Sequence, residues 1–283
     1  MAGTDEEAVA SSDALFVLTA VLLTPAQFPS VLGDDYPEAC AALGLAPRAD
    51  GYGLVLGQDG EGARWTAVID DVSLVAVAIA SWDCGMEYDL SPDERTIVAA
   101  LPGWPLAVAV AAPGVPAPHD PSPEDGGMEP LVPPDATVWG PAQRRLGADE
   151  IALQWATWRN QLRGSAFATP DDPEEGQDAA EGAAPPAEER KPKDGHPGIR
   201  RVLAEARAYL DSPPPLGRVR STFASGDART LRADGPGWSI VARTDDVAFV
   251  LLDENPGEVL PVGRGPELPG LLEALDKMAV RPN

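Results

Sequence analysis

Two stretches of matching pattern constrain this chain more than anything else in it. Shifted by 175 positions, Leu56 to Val77 lies without a gap on Leu231 to Leu252. Leu56, Asp59, Gly60, Gly62, Ala67, Asp70, Asp71, Val72 and Val75 then fall on Leu231, Asp234, Gly235, Gly237, Ala242, Asp245, Asp246, Val247 and Val250. Each copy reads as an antiparallel meander: a strand, a turn at Asp-Gly, a second strand, a turn at Asp-Asp, and a third, mostly apolar strand. Ala, Gly, Asp, Val and Leu are abundant here, so two origins stay open. The match is either a duplicated unit or two unrelated meanders sharing turn chemistry. Both require each half of the chain to carry its own sheet.

Helix signals flank both meanders. Ala14 to Leu23 fits a strand through Val17, Thr19 and Val21 and a helical face through Leu15, Leu18 and Leu22. Thr24-Pro25 reads as the cap and first residue of a short helix towards Leu32, and Pro37 opens another that carries Cys40 and stops near Gly44. Ser91-Pro92-Asp93-Glu94 has the form of a capping box opening a helix to Leu101, followed by a short apolar strand at Leu106 to Ala111. Ile151, Trp155, Trp158 and Leu162 recur at helical spacing, which predicts an amphipathic helix over Asp149 to Arg163 with both tryptophans in the core. Pro197 opens a helix with Ile199, Val202, Leu203, Ala206, Tyr209 and Leu210 on one face and Arg200, Arg201 and Arg207 on the other; Pro213 to Pro215 stop it. Strands follow at Arg218 to Phe223, Arg229 to Ala233 and Val259 to Val262, and a helix with Leu268, Leu271, Leu272, Leu275 and Met278 in register closes the chain.

The class expected is α+β, in two halves, each an antiparallel meander flanked by helices and together a candidate pseudo-repeat. The segments run as an acidic tail over 1–13, an N-terminal domain over 14–112, and a Pro/Gly-rich loop over 113–137. An amphipathic helix segment over 138–167, a disordered acidic tether over 168–196 and a C-terminal domain over 197–283 complete the chain.

Charge is spread unevenly. Up to Gln143 there are 22 acidic residues against three basic ones, Arg48, Arg64 and Arg95, a net of −19 within a total of −24. Such a surface has no cations with which to displace phosphate counterions, so nucleic acid is excluded as a partner. The acidity serves solubility or steers a basic partner protein. The apolar run Leu15 to Leu23 is too short to span a bilayer and lacks the cationic flank of a signal peptide, so no membrane contact is expected. Two cysteines, Cys40 and Cys84, without a CxxC spacing, exclude a four-sulfur metal site and a disulfide framework and fit a reducing cytoplasm.

Catalytic signals are weak. His119 and His196 both fall in segments read as loop or tether, where nothing holds an imidazole against a nucleophile. Gly51-Tyr52-Gly53-Leu54-Val55-Leu56-Gly57 has the wrong spacing for a dinucleotide fingerprint and leads into a strand. Asp70-Asp71 and Asp245-Asp246 are adjacent, so on a strand they point to opposite faces; they read as turn residues. No cofactor, metal or catalytic residue is assigned. The strongest constellation is Trp82, Asp83, Met86, Glu87, Tyr88 and Asp89, with apolar anchors ringed by carboxylates, the composition of a patch that docks a basic partner. An edge loop whose aromatics fold back on the sheet explains the same residues. The function expected is therefore a non-catalytic cytoplasmic protein-binding or adaptor protein. Its alternatives are a secretion-type substrate chaperone or a toxin-neutralising immunity protein and, in another class, a carboxylate- or metal-dependent hydrolase.

Overall fold

In the computed structural model, which describes residues 15–105, 116–126, 128–132, 135, 138–162 and 196–282, the first apolar run is a strand. The β-branched Val17, Thr19 and Val21 decide against the helix. Strands β1 (Phe16–Leu23), β2 (Tyr52–Gln58), β3 (Arg64–Ile69) and β4 (Ile97–Pro102) pair antiparallel in that order. Helix α1 (Tyr36–Ala42) starts where Asp35 accepts a 2.8 Å hydrogen bond from the Glu38 amide, with Pro37 in its first turn. It seals one face of the sheet, packing with Phe28 against Leu23, Leu54, Leu56, Val68 and Leu101.

The other face carries helix α2 (Val72–Asp83), and here the expected third meander strand is corrected. Asp71 accepts from the Leu74 amide as an N-cap, and the alanines at 76, 78 and 80 favour a helix long enough to bury Val75 and Ala78. Its counterpart Val247 to Leu252 is cut short by Asp253-Glu254-Asn255 and stays a strand. Gly53 makes the close approach of α2 possible, because a Cβ there would lie 2.4 Å from Val75 Cγ2. Of the glycines that superficially suggested a nucleotide loop, Gly53 thus serves helix-on-sheet packing.

The strand missing from this meander is supplied by β4, from the region expected to be a helix. The capping box makes only a 3-10 turn, Glu94–Thr96, with Asp93 accepting from the Arg95 amide. The β-branched run Thr96, Ile97, Val98 then leads into β4, which pairs with β3 from Ile97 to Pro102 around a bulge, so the open sheet edge overrides the cap. Thr24-Pro25 likewise closes a single turn, its hydroxyl accepting from the Gln27 amide, and opens no helix. The segments expected at 1–13, 106–111 and 168–195 lie outside the described residues.

The predicted helix around the two tryptophans begins earlier, at Pro141, and breaks at Gln154 into α3 (Pro141–Leu153) and α4 (Trp155–Leu162). Trp155 and Trp158 pack edge-on to Phe249, with ring centroids 5.2 and 6.4 Å away. Helix α5 (Pro197–Ala208) precedes the second sheet, β5 (Val219–Ser225), β6 (Ala228–Gly235), β7 (Trp238–Arg243), β8 (Ala248–Leu252) and β9 (Asn255–Val262), a continuous antiparallel meander. Helix α6 (Leu268–Met278) joins α5 on one face, over Leu231, Ile240, Ala242, Val250 and Leu252; α3 and α4 cover the other. The α+β class with one meander per half is therefore the fold. Among the described residues no helix is long and apolar enough to cross a membrane.

The halves meet through charge. Arg144 and Arg145 of α3 are fully buried between the Phe28 to Asp35 segment of the first half and β5 to β7 of the second. Arg144 donates to Asp34 at 3.0 Å, to Asp253 at 2.8 Å and to Ser239 at 2.6 Å. Arg145 donates to the Asp34 carbonyl and lies 3.3 Å from Asp234. Phe28 is held between two guanidiniums, Arg145 at 3.9 Å and Arg220 at 5.1 Å from its ring. Arg220 and Arg232 approach Asp234 at 3.7 and 3.8 Å, and Arg232 also pairs with Asp149. Four guanidiniums thus face Asp34, Asp149, Asp234 and Asp253. Beside them, Arg218 of the second half pairs with Asp35 at 2.8 Å.

Asp234 corrects the reading of the second turn. Sequence places it opposite Asp59, whose carboxylate organises the first hairpin turn by accepting from the Glu61 and Ala63 amides at 2.9 Å. In the second half the turn lies at Pro236-Gly237, and Asp234 is a strand residue with no exposure. Burial pushes its carboxyl up, but Arg145, Arg232 and Arg220 together pull it below the usual range. Asp34 goes the other way: burial, then the charge of Asp234, raise it to about 6 against the pull of Arg144 and Arg145.

Two measurements test this interface. Asp234→Ala strands three guanidiniums and is expected to lower the unfolding free energy by about 3–5 kcal/mol, whereas Asp59→Ala, which loses turn hydrogen bonds near solvent, costs about 1 kcal/mol in the same urea titration. For Asp34 the folded pKa lies above the unfolded one, so its contribution is complete below pH 4 and lost as pH rises towards 6. Asp34→Asn should therefore gain on the parent protein by up to about 3 kcal/mol between roughly pH 4 and pH 7. A difference that does not change with pH would refute the assignment.

Candidate functional site

The Trp82 to Asp89 segment is placed by the end of α2. Trp82 and Asp83 are the last two helical residues, and Gly85, at φ 70°, reverses the chain while the Met86 amide donates to the Ser81 carbonyl at 2.8 Å. Trp82 and Tyr88 fold back on the sheet and pack with Ile79 and Leu90 against the Ala20, Val55 and Ile69 side. Met86 is 58% exposed, and Asp83, Glu87 and Asp89 point outward beside it. Asp89 is held below the usual carboxylate range by hydrogen bonds from Ser91. The six residues therefore divide: two aromatics belong to the core, and Met86 with three carboxylates forms the accessible remainder. Among the described residues no group of three or more His, Cys, Asp or Glu side chains is placed to hold a metal ion.

The same loop continues into a hollow on the α2 side of the sheet, beyond the part that the helix covers. Pro92 from the loop, Leu15, Asp59, Trp65 and Ala67, and Ile97 and Ala100 of β4 line about 330 Å³. Ile97 and Ala100 share this face because of a bulge: the register between β3 and β4 slips at Val98, which is left without a partner and 47% exposed. Trp65 forms one wall, its indole N–H donating to Asp59 at 3.2 Å. Asp59 lines the hollow, and Asp70, Asp93 and Glu94 flank the start of β4. Sequence analysis missed it, since its residues come from five separate segments. The continuous apolar run Ile97 to Leu101, opened by β-branched residues, was the available signal.

A larger groove, about 670 Å³, runs between α2, the Thr24 to Gln27 turn and Val280 to Pro282. Its charged members are Asp50 and Arg281, and Arg281 already pairs with Asp276 at 3.1 Å.

The groups that usually carry catalysis lie apart. His119 is exposed, and its backbone N–H bonds the Gly62 carbonyl. His196 caps α5: its Nδ1 accepts from the Gly198 amide at 3.2 Å, and its Nε2 faces Asn255. Burial pushes the Cys40 thiol up, and burial with its neighbour Cys40 does the same to the Tyr36 hydroxyl, so both stay neutral and unactivated at physiological pH. The paired acids also separate. Asp71 caps α2, while Asp245 pairs with Arg243 at 3.0 Å and Asp246 with Arg159 at 2.8 Å. Compared with protein-family models, curated proteins and solved structures, the chain matches none.

Proposed function

We propose that this is a non-catalytic binding or adaptor protein whose N-terminal half receives a basic surface of another protein. The observation that carries the reading is the segregation of charge. Arginines of α3 and the second half are used inside the molecule, at the junction between halves. The three cations of the first half are also engaged. Arg64 is buried against Asp120, Arg95 pairs with Asp93 at 2.8 Å, and Arg48 lies over the Tyr52 ring. Asp50, Glu61, Asp70, Asp83, Glu87 and Asp89 meanwhile face water. A field mostly of one sign, with few exposed counter-charges, attracts an oppositely charged partner over roughly a Debye length, about 8 Å at physiological salt.

Exposed Met86 gives that field an apolar contact point, the combination from which docking patches are built. The setting that suits the chain is the cytoplasm, where an exposed thiol such as Cys84 stays reduced.

Immobilised protein should retain one basic protein from an extract of the native cell at about 0.15 M salt and release it as salt is raised. The triple variant Asp83→Lys, Glu87→Lys, Asp89→Lys should cut that retention at least about tenfold. Retention that ignores both salt and the variant would end the reading.

A further inference from the structure

We infer that the free edge of β4, with the hollow beside it, takes an extended basic segment of the partner, which joins the first sheet as a fifth strand. The inference rests on the proposed binding of a basic partner and gives that binding a place and a mode.

Four observations converge. First, β4 ends the sheet, and among the described residues no strand pairs with its outer side over Ile97 to Leu101; only beyond them does Leu131 bridge Gly103 and bond Pro102. Backbone N–H and C=O groups on such an edge are a template for another chain. Second, the other sheet ends are blunted. Strand β9 carries Pro256, Glu258 and Pro261, β5 is bridged by Val280, and β1 exposes only Phe16. In contrast, β4 exposes Ile97, Val98 and Ala100, all apolar.

Third, an added strand has somewhere to put its side chains. Every second residue would stand over the hollow against Trp65, Ile97 and Ala100, whose 330 Å³ suits branched aliphatic groups. Fourth, the surrounding charge selects the occupant. Asp59 lines the hollow, Asp70 and Glu94 flank the start of β4, and the adjacent cation Arg95 is paired with Asp93. A second copy of this chain would bring these carboxylates against themselves, whereas a strand alternating Lys or Arg with Val or Ile would pair with them.

The alternating peptide Lys-Val-Lys-Val-Lys-Val-Lys-Val, with the Glu-for-Lys peptide as control, tests this on the full-length chain by titration and amide hydrogen exchange. The Lys peptide should bind, slow exchange at Ala100, whose N–H the alternation of the ladder turns away from β3, and lose affinity about tenfold or more between roughly 0.05 and 0.3 M salt. Ala100→Pro removes that edge donor, and Ala100→Glu fills the hollow with a like charge. Each should weaken binding about tenfold or more without moving the thermal midpoint by more than a few degrees.

Peptide protection elsewhere, unaffected by Ala100→Pro, overturns the β4 site and leaves the acidic binder standing. No peptide binding alongside successful salt-sensitive capture of a basic protein overturns strand addition alone. Protection of the outward Ala100 amide without peptide means that the chain covers its own edge, and protection that appears only with dimers in mass photometry means a second copy. Either result overturns the inference. Failure of both capture and peptide removes the underlying reading too.

Discussion

The structure depends on a charge-balanced cluster held out of water. Asp234 lies at its centre with no exposure, reached by Arg145, Arg220 and Arg232, while Arg144 ties Asp34 of one half to Asp253 of the other. Desolvating such ions costs several kcal/mol each, and their attraction roughly repays it, so the cluster adds little net stability. What it contributes is register. An apolar junction would tolerate sliding, but here any displacement leaves a buried charge without its counter-ion. The opposing shifts of its carboxyls show the balance: Asp234 is drawn down by three cations, whereas Asp34, driven first by burial and then by the negative charge of Asp234, rises to about 6. Arg220, desolvated and flanked by Arg145 and Arg232, falls to about 9. Phe28 sits between two of these cations and lets them approach without a further carboxylate.

This junction also shapes the surface. A protein of net charge −24 has 21 cations to distribute, and several of them are spent where no partner can reach. Carboxylates of the first half are left facing water with little local compensation. The acidic exterior and the arginine-rich interior are thus two sides of one allocation, and the field around the loop after α2 and the start of β4 is stronger for it.

Much of the fold was legible because it rests on local chemistry. The strands and turns of the second sheet follow from β-branched runs and glycines, and α5 and α6 follow from proline starts and leucine stripes. The cluster was not legible. Asp234 occupies the position of an ordinary Asp-Gly turn, and Arg144 and Arg145 are cations, which a one-sided surface helix turns to solvent. Both are buried because α3 is covered from two sides, a fact set by distant segments. The docking candidate was read in part: sequence singled out Trp82, Met86 and Tyr88 together, but the sheet claims Trp82 and Tyr88, and the hollow two residues beyond Leu90 draws on five segments.

The two sheets differ most where the shifted alignment is closest. In the second half, Val247 to Leu252 forms β8, and the chain turns at once into β9, whose prolines and glutamate blunt the edge. In the first half the aligned residues lead an alanine-rich run capped by Asp71, which leaves the sheet as α2 and crosses its face. The third neighbour then comes from farther along, as β4. Among the described residues the first sheet has four strands to the second sheet's five, and its last strand presents apolar Ile97, Val98 and Ala100 where β9 presents Pro256, Glu258 and Pro261. The alanines that make α2 a helix thus decide which strand stands at the end of the first sheet.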